Sequence, residues 1–189
     1  MQPSQVSAIA LGNWNPKIFT PVWVKERLLC LNSEDEIKVQ LDFNDMDFGL
    51  QYKNLILIPK GTVLEIRTKS FEQADLQIFT KALMGIFDLL PQTPIKAIGI
   101  NIIYNFSKDA DNRYFTLLEK FVHFKGFEVT MARYSLKKDK YLANIIIEKK
   151  GLETVSVNFN FHYSRTIDLE KTFLETHILE SSKILSDGI

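Results

Sequence analysis

The chain has 189 residues, of which 46% are hydrophobic, and its 23 basic and 23 acidic residues give a formal net charge of zero. A hydrophobic fraction of this size excludes bulk disorder and is sufficient for one large domain or two small joined ones. The charge balance disfavours a protein that binds nucleic acid over its whole surface, because phosphate backbones select basic chains.

The N-terminal residues and the cysteine content indicate the compartment. Residues 1–10 contain no basic segment and no long apolar run, so we expect no signal peptide. No apolar run approaches the roughly 20 residues that a membrane-spanning helix needs. Cys30 is the single cysteine, which excludes an intrachain disulfide, and its leucine neighbours predict a small buried side chain. The sequence therefore predicts a cytoplasmic protein with no membrane association.

Alternation of apolar residues and helix caps predict the elements of the first half. In chain order they are a strand over 6–11, a helix over 20–29, strands over 36–43, 48–58 and 62–68, and a helix over 71–90. Thr20 followed by Pro21 is typical of a helix start, with a side-chain cap before the first-turn proline. Ser70 and Gln73 predict a capping box for the long helix.

The second half predicts the same order of elements. They are a strand over 95–106, a helix after Asp109, strands over 127–134, 141–148 and 155–163, and a helix after Thr166. The halves also match in residues, as 8–11 (AIAL) align with 97–100 (AIGI), and 54–57 (NLIL) with 144–147 (NIII). A Lys-Gly pair follows each of the latter segments.

These matches predict a duplication within an α+β fold. We expect two tandem β-α-β-β-β-α repeats, residues 1–92 and 93–189, that form one continuous, mostly antiparallel sheet with helices packed on one face. Only a few residues join the halves, so the prediction is one cooperative body.

The order of elements resembles the duplicated, saddle-shaped architecture of the TATA-binding protein, although the intercalating aromatic residues and basic saddle of that family do not map onto this chain. The alternating stretches 99–106 (GINIIYNF) and 157–163 (VNFNFHY) are similar to a sporadically distributed family of uncharacterised bacterial proteins. That family has Asn-rich strands and a long helix before the first of them. The resemblance implies no site residues.

Catalytic and metal-binding motifs are absent from the sequence. His123, His162 and His177 have no histidine or cysteine partner at metal-ligand spacing, and we expect His123 and His177 to be structural or solvent-facing. No nucleophile elbow or glycine-rich phosphate loop occurs. The aspartates at 42, 45 and 47 could hold a hard cation, but their Asn-Asp context favours a turn. We therefore predict no metal, no cofactor and no catalytic residue.

A polar face of the sheet is the predicted binding surface. If the large apolar residues of strands 95–106 and 155–163 face the helices, the residues between them face outward. These outward residues are Asn101, Asn105, Asn158, Asn160 and His162. Trp14, in a loop after the first strand, either packs under the sheet edge or joins this surface as a partner anchor.

Three functions remain open from the sequence. The favoured one is a non-enzymatic protein-interaction or assembly module that uses the polar sheet face, with another protein or a second copy as its partner. The alternative is a nucleic-acid or small-ligand binding protein, but the outward charges have mixed signs, which disfavours nucleic acid. The second alternative is an enzyme whose site is not visible in the sequence.

Overall fold

The computed structural model describes residues 2–42, 47–109, 113–120, 130–164 and 172–187. Within these ranges the chain forms nine strands: β1 Gln5–Gly12, β2 Lys38–Asp42, β3 Asp47–Tyr52, β4 Leu55–Pro59, β5 Val63–Thr68, β6 Ile95–Ser107, β7 Met131–Lys137, β8 Leu142–Lys149 and β9 Thr154–Tyr163. The helices are α1 Pro21–Trp23, which continues as a π-helical turn Val24–Leu28, α2 Gln73–Leu89, α3 Arg113–Lys120 and α4 Phe173–Asp187, with a 3₁₀ turn at Pro16–Ile18.

The strands form a single antiparallel sheet in the order β2-β3-β4-β5-β1-β6-β9-β8-β7. The helices pack on one side of it: α2 contacts β4 and β5, α3 contacts β8, and α4 contacts β6. This confirms the predicted α+β fold with a continuous sheet and helices on one face.

The core lies between the sheet and the helices. Alternate residues of the two longest strands point into it, and Ile100, Tyr104, Phe159 and Phe161 are at most 1% exposed. The hydroxyl of Tyr104 lies 2.8 Å from Oγ of Ser181 on α4, which fixes the direction in which this side chain points. Burial of this apolar surface is the main driving force for packing the helices on the sheet.

The two halves of the sheet repeat the same strand order, β1-β5-β4-β3 on one side of the central pair and β6-β9-β8-β7 on the other. The residue match at the central strands is not a structural equivalence. Ala8 is fully buried under the helices, whereas Ala97, with which it aligns, alternates with the buried Ile98 and lies on the opposite face. The duplication, and the two repeats it defines, remain a prediction.

The described residues of the first half form five strands, so its predicted β-α-β-β-β-α order was wrong by one strand. Residues 48–58 were predicted as a single strand, but they divide into β3 and β4. Lys53 between them has a positive φ of 50°. A positive φ at the first of the two turn residues allows a tight two-residue hairpin, and neither a lysine at that position nor the apolar alternation around it reveals the turn.

Three local predictions have different outcomes. Thr20 caps α1 as predicted, since its Oγ1 accepts from the backbone N–H of Trp23. The capping box does not form, because α2 begins at Gln73 after Glu72, while the Ser70 hydroxyl accepts from the backbone N–H of Glu72. Cys30 is exposed, with a positive φ of 51°, because it follows the π-helical turn and points away from the core.

Several predicted features lie outside the described residues. They are His123, the cap at Thr166, the turn predicted at position 45, and residues 127–129 of the strand predicted over 127–134, of which β7 keeps 131–134. Among the helices that the structure describes, none combines the length and the apolarity that crossing a bilayer requires.

Candidate interaction face

The sheet surface opposite the helices, here called the open face, carries the predicted polar residues. Tyr104 points to α4, so its neighbours in β6, Ile103 and Asn105, point the other way, as does Asn101. In β9 the buried Phe159 and Phe161 alternate with Asn158, Asn160 and His162, which are half-buried or exposed. The strand parity inferred from the sequence places all five predicted residues on this face.

Polar side chains from five adjacent strands form one hydrogen-bonded row across the open face, here called the amide ladder. Its members, from β1 to β7, are Ser7, Asn101, Asn160, Asn144 and Ser135, and each lies directly opposite the next in the strand register. The sequence pattern predicted Asn101 and Asn160 but not Ser7, Asn144 and Ser135. Their alternation with buried residues indicates that they point outward, but only the register of the strands shows that they align in one row.

Hydrogen bonds run along the amide ladder in one direction. The Ser135 hydroxyl donates to Asn144 Oδ1 at 2.7 Å, and Asn144 Nδ2 donates to Asn160 Oδ1 at 3.5 Å. Asn160 Nδ2 then donates to Asn101 Oδ1 at 2.8 Å, and Asn101 Nδ2 donates to Ser7 Oγ at 3.4 Å. Bonds in such a chain polarise one another, so the central amides are held in fixed orientations.

A glycine makes room for the centre of the amide ladder. A Cβ atom built on Gly99 would lie 3.0 Å from Asn160 Nδ2, which is closer than ordinary packing allows. Gly99 follows the same outward parity as Asn101 in β6. The missing side chain therefore leaves the space into which the Asn160 amide extends to reach Asn101.

The other predicted residues lie beside the amide ladder. Asn105 is exposed and its Nδ2 donates to Ser4 Oγ at 3.0 Å. His162 is exposed and lies opposite Gly99. Asn158 is half-buried, and its Oδ1 is buried with no hydrogen-bond partner among the described residues. A buried carbonyl oxygen without a donor is costly, so the position of this amide lowers the free energy of unfolding rather than raising it.

Trp14 does not belong to the open face. It is 4% exposed, its Nε1 donates to the Ala10 carbonyl at 3.0 Å, and its ring meets that of Phe19 edge-on. Of the two alternatives that the sequence left open, the structure shows packing, because the indole fills the space left by Gly12 and caps the core. The prediction of Trp14 as a partner anchor was wrong.

Isoleucines and paired charges surround the amide ladder. The outward isoleucines, all half-buried, are Ile9, Ile56, Ile58, Ile103 and Ile146. Arg67 Nη1 lies 3.9 Å from Glu65 Oε1, and Lys150 Nζ lies 2.6 Å from Glu148 Oε2. The centre of the open face is therefore neutral and consists of apolar and amide side chains, and the charges named here are compensated in pairs.

A second polar cluster lies on the helix side, and no pattern in the sequence predicted it. His177 of α4 is 1% exposed, stacks on Phe161 with a centroid distance of 3.8 Å, and has Nε2 2.5 Å from the Tyr163 hydroxyl. Tyr141 donates to Glu180 Oε2 at 2.6 Å, and that oxygen lies 3.6 Å from His177 Nδ1.

The protonation of this cluster is set mainly by burial. Burial lowers the pKa of His177 to about 4, against the smaller opposing effect of the Glu180 carboxylate. Burial and the hydrogen bond to Glu180 raise the pKa of Tyr141 above its ordinary value. His177 is thus neutral near pH 7 and structural, as predicted, although it is buried in the core rather than facing solvent.

A groove of roughly 410 Å³ lies on the helix side between α2 and α4. Leu76, Met84 and Leu174 provide its apolar lining, and Thr80 and Glu175 provide polar groups. Its size is within the range of small-molecule sites. Among the residues that the structure describes, no three His, Cys, Asp or Glu side chains are grouped so that they could hold a metal ion.

Comparisons with known proteins do not identify a family. No family model matches the chain, and no curated protein matches it. One solved structure, from Bacillus halodurans, is described as a candidate adenylate cyclase. Its alignment with this protein covers 95% of this chain and 75% of the Bacillus chain, with 10% sequence identity and a TM-score of 0.20. A likeness at that score carries no argument about fold or function, and the resemblances drawn from the sequence stay predictions.

Removing the centre of the amide ladder is expected to destabilise the protein measurably. Asn160→Ala removes two side-chain bonds and leaves Asn101 Oδ1 and Asn144 Nδ2 without these partners, which should lower the free energy of unfolding by about 1–2 kcal/mol. Asn105→Ala is the matched control, because it removes one exposed bond and should cost less than about 0.5 kcal/mol. Urea denaturation of both variants measures the difference. Equal costs would show that the ladder is not a stabilising unit.

Proposed function

We propose that this chain is a non-enzymatic protein-interaction module whose partner protein docks on the open face. The observation that carries the proposal is the neutral centre of that face, where the amide ladder spans five strands between half-buried isoleucines. The interface cores of protein complexes are likewise depleted of charge and mix apolar area with hydrogen-bonding groups.

The apolar part of the open face supports a protein partner. Leu11 is 43% exposed and lies opposite Val63 in the register, close to the half-buried Ile9 two residues earlier in β1. No described helix covers this side of the sheet. A sheet or helix laid on these residues would remove their apolar surface from water, at about 25 cal/mol per Å² buried.

The amide ladder supplies groups that can orient such a partner. Each amide in it makes one bond as donor and one as acceptor to its neighbours. An amide has two N–H groups and two carbonyl lone pairs, so capacity for a partner remains.

The mixed signs of the charges on the open face favour protein over nucleic acid as the partner. Binding of a phosphate backbone depends on cations that are free to replace counterions. Arg67 and Lys150 both lie near carboxylates of the same face, whereas the exposed Arg133 and Lys137 lie at its β7 edge. The alternative of a small ligand is supported by a separate observation, the groove between α2 and α4, and would use the opposite side of the protein.

Site-specific photo-crosslinking in the native host tests the proposal. A benzophenone amino acid at position 11 and another at position 103 should each form an adduct with the same partner protein. The matched control is position 179, because Leu179 is 71% exposed on α4, on the helix side. Leu11→Lys should then weaken binding of the purified partner at least tenfold, while Leu179→Lys leaves it unchanged. Equal adducts at position 179, adducts only with nucleic acid, or no adduct at 11 and 103 would contradict the proposal.

A further inference from the structure

The edge strand β2 exposes apolar residues that the helices do not cover. Val39 is 51% exposed and Leu41 is 62% exposed. Their cross-strand neighbour Leu50, opposite Val39 in β3, is only 2% exposed. The apolar alternation of β2 predicted a half-buried strand, so these exposures correct that prediction: β2 lies at the end of the sheet, beyond the reach of the helices.

The far side of β2 has no pairing strand among the described residues. Such an edge presents backbone N–H and C=O groups to any strand that can align with it, and proteins usually protect it. The exposed pair Val39 and Leu41 gives the edge an apolar side, so association with another strand would remove both unpaired backbone groups and apolar surface from water.

The sequence of β2, Lys-Val-Gln-Leu-Asp, is complementary to itself in an antiparallel register. When two copies pair about a two-fold axis through Gln40, Lys38 of one copy lies opposite position 42 of the other, which is an aspartate. Val39 then lies opposite Leu41 of the second copy. Opposite charges and apolar pairs directly across a ladder stabilise antiparallel strands, and a two-fold interface repeats each pair.

The other edge of the sheet lacks this complementarity. In β7, pairing about Tyr134 would place Lys137 opposite Met131 and Arg133 opposite Ser135. The adjacent Lys138 and Lys140 add further positive charge at that end. Glu180 and Asp139 compensate part of this charge, since Lys138 Nζ lies 3.7 Å from Glu180 Oε1, but no carboxylate lies within β7 itself to pair with the cations of a second copy. The second-copy contact is therefore assigned to β2.

We propose that two copies of this chain associate through β2, antiparallel about Gln40, to continue the sheet across the dimer. The contact is separate from the open face, so it does not depend on the proposed function. The partner is a second copy because the register satisfies both charges and both apolar residues without any other chain.

Molecular mass measured by sedimentation over a dilution series tests the dimer. The unmodified chain should form a reversible dimer, and Leu41→Lys should be monomeric. Lys38→Glu and Asp42→Lys should each weaken the dimer by about tenfold, since each replaces two attractions with two repulsions, and the double variant should regain dimerisation to within about threefold. Leu136→Lys, at a 41% exposed leucine of β7, is the matched control and should leave the dimer intact.

Distinct outcomes would overturn this proposal. They are a monomer at every concentration, a dimer that survives Leu41→Lys, or a charge-exchanged double variant no better than either single one. Circular dichroism confirms that each variant is folded, and the charge exchange remains decisive if Leu41→Lys is not. Leu11→Lys, on the open face, should leave the dimer unchanged, which separates this contact from the proposed docking surface.

Discussion

A Phe159→Ala variant is expected to lower the unfolding midpoint reported by tryptophan fluorescence as much as the midpoint reported by circular dichroism. Phe159 is fully buried in the second half of the chain, and both tryptophans, Trp14 and Trp23, lie in the first half. Loss of a buried phenylalanine side chain typically costs about 3–5 kcal/mol. In a chain of this length that cost corresponds to a decrease of roughly 10 °C in the unfolding midpoint. Tryptophan fluorescence should report the whole of this decrease, although both tryptophans lie in the other half.

The physical reason for this shared midpoint is the pairing of β1 with β6, which joins the two halves. β1 pairs with β6 along its whole length, from Gln5 to Gly12, and this pair lies in the middle of the sheet. Separation of the halves would leave two long unpaired edges and expose the buried alanines Ala8 and Ala10 beside them. One half cannot unfold without exposing the other, so we expect a single cooperative transition.

Leu179→Ala provides the matched control, since Leu179 is in the same half as Phe159 but is 71% exposed. Its midpoint should shift by less than about 2 °C by either probe. Two resolved transitions in calorimetry, or a tryptophan midpoint that stays constant in Phe159→Ala while the dichroism midpoint falls, would show that the halves are independent domains.

The centre of the sheet was predictable because its signal is local. In 98–106 and 155–163 the large apolar residues alternate with small or polar ones, with the outward Ile103 as the exception, and one side of the sheet is covered while the other is not. A period of two then fixes both the strand and the side of each residue. The same argument placed Asn101 and Asn160 on the open face before any contact was known.

Other features depend on which elements meet in space, and local patterns do not contain that information. The strict alternation of β2 is that of a half-buried strand, but its position at the sheet edge leaves Leu41 exposed. Trp14 was ambiguous because burial of a loop side chain depends on the core beneath it. The amide ladder requires the register of five strands, and the sequence separation between Ser7 and Asn144 gives no indication that they belong to one row.

The histidine cluster was missed for a related reason. His177 flanks the apolar stripe of its helix, where an imidazole commonly faces solvent. In the fold its partners Phe161 and Tyr163 come from β9, and Tyr141 comes from the residue before β8. Only tertiary packing shows that this ring is enclosed by aromatic side chains, and that enclosure has a consequence for acid stability.

The protein is expected to lose stability as the pH falls below about 6.5, because unfolding releases His177 to accept a proton. Its pKa is lowered to about 4 in the folded protein, against about 6.5 in the unfolded chain, so the unfolded state binds more protons in this window. The stabilisation is complete above pH 6.5 and disappears towards pH 4. Linkage gives a loss of about 2 kcal/mol between pH 7.5 and pH 5 from this group alone.

Urea denaturation at pH 7.5 and pH 5 measures this loss in three proteins. His177→Gln removes the titrating ring from the cluster of Tyr141, Tyr163 and Glu180, so most of the pH dependence between these values should disappear, although the variant is less stable at pH 7.5. His162→Gln is the matched control, because it removes an exposed imidazole on the opposite face and should retain the full loss. If His177→Gln keeps the same loss as the unmodified chain, other groups govern acid unfolding, and the burial of His177 has no energetic role in it.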